Sequence, residues 1–463
     1  MGHLKLKGKD LLKLGYPSRS VIKAIAVMQR QFPKRDKNYV RSILSDILKN
    51  PQAYVDDLAL GEIAEALVSP PAVRRQTLNA QRAPFAIFGK EHIRDEAFNQ
   101  LYTALKLPIA IQGALMPDAH SGYGLPIGGV LATDNAVIPY GVGLDIGCRL
   151  SLSILDTPVT YLEGARDRYA KALVDHTRFG MREVHASPND HGVFESDAFR
   201  SIPLLRKLHG KAIKQFGTSG GGNHFVEFGE VTLTAPHPEL DLKPGSYVGL
   251  LSHSGSRGIG ASIAQYYTKA AMAQCPLPKE AQQLAWLDLD THLGMEYWVA
   301  MQLAGEYAAA CHSDIHRRLI RAVGGRIMAR VEHHHNFAWK EIHEGREIVV
   351  HRKGATPAGY GVVGYIPGSM VDKGYLVVGR GHAESLHSAS HGAGRMHPRD
   401  AARRMWSPSE MKKVLAQHRV TLIGGGLEEA PMAYKRIAEV MAAQKELVDI
   451  IGTFQPRIVR MDG

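Results

Sequence analysis

At 463 residues, 44% hydrophobic and 22% charged, the chain has ample apolar material for a large folded core and is neither disordered nor fibrous in composition. Its net charge of +11 favours a polyanionic partner, nucleic acid first, over a merely basic surface. No apolar run reaches the ~18 residues of a membrane span, the opening segment carries no signal-like stretch, and three cysteines (Cys148, Cys275, Cys311) make no disulfide framework; a cytoplasmic protein is expected.

Residues 1–70 read as a small all-helical module. Ser18 or Ser20 is placed to cap a helix with Val21, Ile22, Ile25 and Met28 on one face. A second helix is expected near Asn38–Leu48 and a third over Leu60–Leu67. The opening phrase Lys7-Gly-Lys-Asp-Leu-Leu-Lys-Leu-Gly-Tyr-Pro-Ser resembles a short helical segment of some tRNA-nucleotidyltransferase tails, but a simple packing bundle is the favoured explanation. Residues 71–83 read as a linker, from the Ser69-Pro-Pro-Ala-Val-Arg-Arg-Gln-Thr stretch.

From residue 84 short β-branched runs alternate with Gly and Pro, as at Gly128–Ala132, Leu150–Ile154, Tyr247–Leu251, Ile348–His351 and Leu376–Val378. Helices are expected at 162–175, 201–215, 259–272, 296–323, 408–417 and 432–450. The fold class is α+β, with one large mixed α/β domain over 84–463.

Histidine is the unusual residue: 23 copies, about twice ordinary usage. Many sit beside glycine. Pro139-Tyr-Gly-Val-Gly-Leu-Asp145-Ile-Gly-Cys148 puts a carboxylate and a thiol within reach of one metal ion in a turn of small residues. Met116-Pro-Asp-Ala-His120, Gly220-Gly-Gly-Asn223-His224-Phe-Val-Glu227, Ser252-His253-Ser-Gly-Ser-Arg257 and Glu332-His333-His334-His335-Asn336 follow the same style. So do His351-Arg-Lys353-Gly-Ala-Thr356, Pro367-Gly-Ser369-Met370 and Ser390-His391-Gly-Ala-Gly-Arg395. Any one is more often a satisfied polar turn than a ligand, and His333–His335 also reads as a solvated strand end. Packing does not require so many in one domain. Glycine beside histidine and arginine suits close approach of phosphate to backbone amides, and neither a P-loop nor a Rossmann fingerprint is present.

These blocks, in this order, resemble the RtcB family of RNA ligases from about residue 84 onward. The resemblance implies a GTP- and manganese-dependent enzyme that joins RNA 3′-phosphate or 2′,3′-cyclic phosphate ends to 5′-hydroxyl ends. It implies two manganese ions bridged by Cys148, one also held by Asp145 and His224, the other by His253 and His335. It makes His391 the nucleophile that is guanylylated. Asn223, Phe225, Glu227, Ser369, Gly392, Ala393, Gly394, Arg395, Tyr434 and Asp462 are implied for the nucleotide pocket, and Lys353 and Arg257 for RNA or phosphate. Implied partners are RNA, such as tRNA or rRNA fragments in repair, and an activating protein such as archease. The alternatives are a metal-dependent phosphoesterase that does not ligate, and a non-catalytic RNA-binding relative.

Four features depart from the family pattern. Arg149 stands where a glycine is usual, and Gly374 where a nucleotide-holding serine is usual. Asp462 stands in place of a lysine, and the helical module lies outside the usual core.

Overall fold

The computed structural model describes residues 6–33, 36–68 and 75–463, which fall into two compact units divided between Arg74 and Arg75. Residues Lys34 and Arg35, the end of the expected helical module at 69–70 and the first part of the expected linker, 71–74, lie outside the described residues.

The smaller unit is helical: Gly8–Leu14, Ser18–Gln31, Lys37–Lys49 and Gly61–Leu67. Leu11, Met28, Val40, Leu44, Ile47 and Ile63 recur at helical spacing and form its core. Pro17, rather than Ser20, is the cap residue of the second helix, and the Ser18 side chain lies outside the described ones. Ser20 lies inside the first turn and donates to the Pro17 carbonyl at 2.9 Å. Asp36 caps the third helix, accepting from Asn38 and Tyr39 amides. Gly15 ends the first at φ 96°, the left-handed geometry of a helix stop.

The larger unit begins within the expected linker. Residues 75–83 are tied to it by Gln76 N–H to Pro276 O (3.0 Å), Asn79 N–H to Lys106 O (2.7 Å) and Ala83 N–H to Leu105 O (2.9 Å).

Two sheets frame this unit. An eight-stranded sheet, antiparallel along its main path, runs in the order 363–366, 374–379, 448–461, 225–233, 245–254, 149–155, 327–334, with 421–423 pairing in parallel to 448–461. A five-stranded sheet has the order 85–87, 110–120, 127–133, 346–353, 336–343. The strand Arg149–Leu155 is buried at every position and alternates between two cores. Leu150, Leu152 and Ile154 face Leu376 and Phe454. Ser151 and Ser153 point the other way, and on that side Val226, Phe228, Val248 and Leu250 meet Ile315 and Leu319. These last two belong to the helix His292–Val323, capped by Thr291 Oγ1.

The expected strands and the helices at 201–215, 259–272, 296–323 and 408–417 appear with shifts of a few residues at their ends. The helix expected at 432–450 does not. It is a short helix Ile437–Ala442 followed by the strand Val448–Met461, which pairs with three neighbours. Among the described residues no helix is long and apolar enough to cross a membrane.

Candidate active site

Five chain segments end at one place. His120 closes the strand Ala110–His120, Cys148 precedes Arg149–Leu155, and His253 sits near the end of Gly245–Ser254. His335 is the single residue between Ile327–His334 of the large sheet and Asn336–His343 of the small one. His391 follows the strand Ser388–Ser390.

The turn bearing Cys148 is held by Gly147 N–H to Asn336 O (2.8 Å), and Cys148 O accepts from the His335 amide at 3.0 Å. Gly147 has φ 67°, and a Cβ on it would come within 2.9 Å of Gly305 Cα in the long helix. Here glycine is required by both conformation and space.

Two donor groups share one sulfur: Asp145, Cys148 and His224, and Cys148, His253 and His335, with the donor atoms of each group within 4.8 Å of one another. Cys148 Sγ lies 3.6 Å from His224 Nε2 and 3.3 Å from His253 Nε2. His224 Nε2 is 2.9 Å from Asp145 Oδ2. The outer nitrogens orient the rings. His224 Nδ1 donates to Ser219 O (2.7 Å) and His253 Nδ1 to Asn223 O (3.0 Å), which turns the Nε2 of each ring inward.

A cation fits this arrangement better than the protein alone does. His253 Nε2 and His335 Nε2 face each other at 3.3 Å. Burial drives His253 down to about 3 and His335 well below its ordinary value, so both rings stay neutral and keep a lone pair for a metal ion. Burial, then the Asp145 charge, raises the Cys148 thiol well above normal. Burial acts to raise Asp145 too, but the facing His224 holds it down to about 2. Thiolate, imidazole and carboxylate donors all match a divalent metal ion.

Beside this centre opens a cavity of about 270 Å³. Of the residues expected there, Asn223, Phe225, Glu227, Ser369 and Tyr434 line it, as do Gly392, Ala393, Gly394 and Arg395 after His391. Lys353 lines it too, its ammonium donating to the Tyr123 and Tyr140 carbonyls, with burial lowering it to about 7. His224 and Arg257 stand outside the lining. Arg257, at φ 58°, donates to Thr218 Oγ1 (3.1 Å) and Gly180 O (3.2 Å), and fills the space beside Gly220. Asp462 also lies outside: its carboxylate occupies the room a Cβ on Gly221 would need, over the glycine turn rather than in the cavity. Arg149 does not crowd the metal turn. It pairs with Glu332 and reaches His334 Nδ1 at 3.2 Å, and it is not among the lining residues.

His391 is oriented by a residue that the sequence left without a role. Its Nδ1 lies 2.6 Å from Asp118 Oδ2, a fully buried carboxylate. Burial raises that carboxyl, but His391 opposite more than compensates and holds it below its usual value. Asp118 stood inside the quoted Pro117-Asp-Ala-His120 block; its pairing with a residue 273 positions away had no local signal. The same is true of His312 and His316 on the long helix. Both are fully buried, and Ser252 Oγ sits between His312 Nδ1 (2.5 Å) and His316 Nε2 (2.8 Å), directly before His253. His333 and His335 are buried, not a solvated strand end.

A family model described as tRNA-splicing ligase RtcB matches residues 100–201 and 196–462. An Escherichia coli protein named RNA-splicing ligase RtcB is 32% identical over 416 residues, covering 82% of this chain and 98% of its own. A Nanoarchaeum equitans protein named tRNA-splicing ligase RtcB is 31% identical over 417 residues, covering 74% and 86%. A Mycobacterium tuberculosis protein named RNA-splicing ligase RtcB is 29% identical over 417 residues, covering 75% and 96%. With cysteine, histidine and carboxylate donors at one centre and matches of this extent, the chain belongs to the RtcB family.

Proposed function

We infer that the protein is an RNA ligase that uses GTP to join a 3′-phosphate or 2′,3′-cyclic phosphate end to a 5′-hydroxyl end, with His391 as the guanylylated nucleophile. The observation that carries this reading is the contact between His391 Nδ1 and Asp118. An aspartate holding the proton on Nδ1 leaves Nε2 as a free nucleophile beside the cavity.

Asp145, Cys148 and His224 would hold one manganese ion, and Cys148, His253 and His335 a second. When bound, such ions neutralise charge developing on phosphate oxygens and orient the leaving group. The residues of the chain do the rest. His391 Nε2 attacks the α-phosphate of GTP, its bond to GMP forms, and pyrophosphate leaves, while the Nδ1 proton stays shared with Asp118. The GMP passes to the RNA 3′-phosphate, and His391 regains its lone pair. The incoming 5′-hydroxyl then displaces GMP, leaving a 3′,5′-phosphodiester. A cyclic end has first to be opened by water.

Lys353, buried and aimed at the cavity from the small sheet, is suited to phosphate of either substrate. The charge of +11 supports an RNA partner, for which tRNA or rRNA fragments are the proposed source.

The test is incubation with α-labelled GTP and manganese. Label that survives denaturation, is released by acid and is absent in His391→Ala supports the ligase. No label with any nucleotide, together with hydrolysis of cyclic ends, would point to the phosphoesterase.

A further inference from the structure

Away from the cavity, three further donors meet at the edge of the small sheet. Glu341 and His343 lie two apart on the strand Asn336–His343 and so share a face of it. The strand turns back through Glu344 (φ 51°) and Gly345 (φ 79°), a tight hairpin turn that fixes where His343 stands. His387 comes from the turn just before the strand Ser388–Ser390. One donor atom from each of the three falls within 4.8 Å of the other two. None of them lines the cavity or belongs to the donor groups at Cys148.

A buried arginine holds the carboxylate and the turn in one grip. Arg352 is 1% exposed, and its guanidinium pairs with both oxygens of Glu341, Nη2 to Oε2 at 3.1 Å. It also donates to Leu386 O at 2.8 Å and, through Nε, to Ser388 Oγ at 2.7 Å. Leu386 (φ 52°) and His387 (φ 50°) are both left-handed, a costly pair of conformations for residues other than glycine. This turn brings the His387 ring against His343, centroids 4.5 Å apart at 31°. His343 Nε2 donates to Glu341 Oε2 at 2.9 Å, whereas the His387 ring has no hydrogen-bond partner among the described residues. Burial, then the neighbouring His343, lowers His387 from its ordinary value and keeps a lone pair available.

We propose that Glu341, His343 and His387 bind a zinc-type divalent ion, separate from the centre at Cys148, with a water in the fourth position. Two imidazoles and one carboxylate are a zinc donor set, and the partial exposure of all three leaves room for that water. The ion takes the place of the proton between His343 Nε2 and Glu341 Oε2, and that proton passes to solvent. Arg352 is then the outer partner that orients the ligating carboxylate. Imidazole nitrogen favours zinc over manganese, so this site fills with zinc where it would leave manganese in solution. Only the strand Ser388–Ser390 separates His387 from His391, so the ion pins the segment that carries His391 to the edge of the small sheet.

The test is dialysis of the full-length protein against zinc, with bound metal counted by elemental analysis. Wild type should keep one zinc ion more than His387→Gln and one more than His343→Gln. The same variants dialysed against manganese should keep as many ions as wild type, the sign that the fold and the centre at Cys148 are intact. Equal zinc counts in wild type and His387→Gln would overturn the site. Anomalous diffraction at the zinc edge from crystals of the zinc-loaded wild type needs no variant. A peak among Glu341, His343 and His387 is expected there, and its absence would overturn the site as well.

Discussion

Asp118 Oδ2 receives three N–H groups from one stretch of chain: the His391 ring Nδ1 at 2.6 Å, the His391 amide at 3.1 Å and the Gly392 amide at 3.3 Å. One oxygen therefore sets both the tautomer of the imidazole and the path of the backbone that carries it. Asp118→Asn keeps the shape but offers an amide that can donate to Nδ1, which moves the ring proton to Nε2. Labelling of His391 by α-labelled GTP should slow by about 100- to 10,000-fold. A circular dichroism spectrum matching wild type would show that the loss is not one of folding. Labelling at the wild-type rate would refute the positioning role.

The shared sulfur predicts unequal losses of metal. Cys148 belongs to both donor groups and His224 to one. After equilibrium dialysis against manganese, wild type should retain two ions, His224→Ala one and Cys148→Ala none. Two ions retained in His224→Ala would show that His224 is not a ligand, and none retained that the groups do not act separately.

Buried neutral histidines predict a loss of stability in mild acid. Burial lowers His333 and His351 to about 4, and His351 Nε2 accepts from the Ile138 amide at 2.9 Å, which a protonated ring cannot do. The unfolded chain binds these protons below about pH 6.5, whereas the folded chain resists until about pH 4. Between those values the unfolded state carries more protons, so stability falls as pH falls, by up to about 1.4 kcal/mol per pH unit for each such histidine. Melting temperatures in metal-free buffer should drop between pH 7 and pH 5; a flat profile would contradict the burial of neutral rings.

Ser252 is the next point of leverage. Its hydroxyl bridges His312 and His316 behind the strand that presents His253. Ser252→Ala strips a partner from two buried rings and should cost about 1–3 kcal/mol in urea denaturation. Because His253 is the adjacent residue, manganese affinity should fall as well. Unchanged stability would mean that the rings find other partners.

The sequence made most of the donors visible because they lie in short, glycine-flanked blocks, and glycine marks places where backbone must bend or be approached. Asp145, Cys148, His224 and His253 stood out for this local reason, and His335 for its run of three histidines. Asp118, His312 and His316 did not, since their pairings come from partners on distant strands or helices. The missed strand at Val448–Met461 has a similar cause. Met441-Ala-Ala-Gln-Lys-Glu-Leu favours helix locally, but pairing with three strands outweighs that preference once the chain reaches Val448. Asp462 was implied for the pocket by the resemblance, and its carboxylate packs over Gly221.

His335 occupies the one-residue passage from the large sheet to the small one, next to a sulfur anchored on the large sheet. An ion bound there rivets the two sheets at their shared seam. It has no counterpart in the unfolded chain, where Cys148 and His335 are separated by 187 positions. Metal occupancy would therefore be coupled to the cohesion of the larger unit as well as to the proposed chemistry at His391, and removing the ion would loosen the frame along with the site.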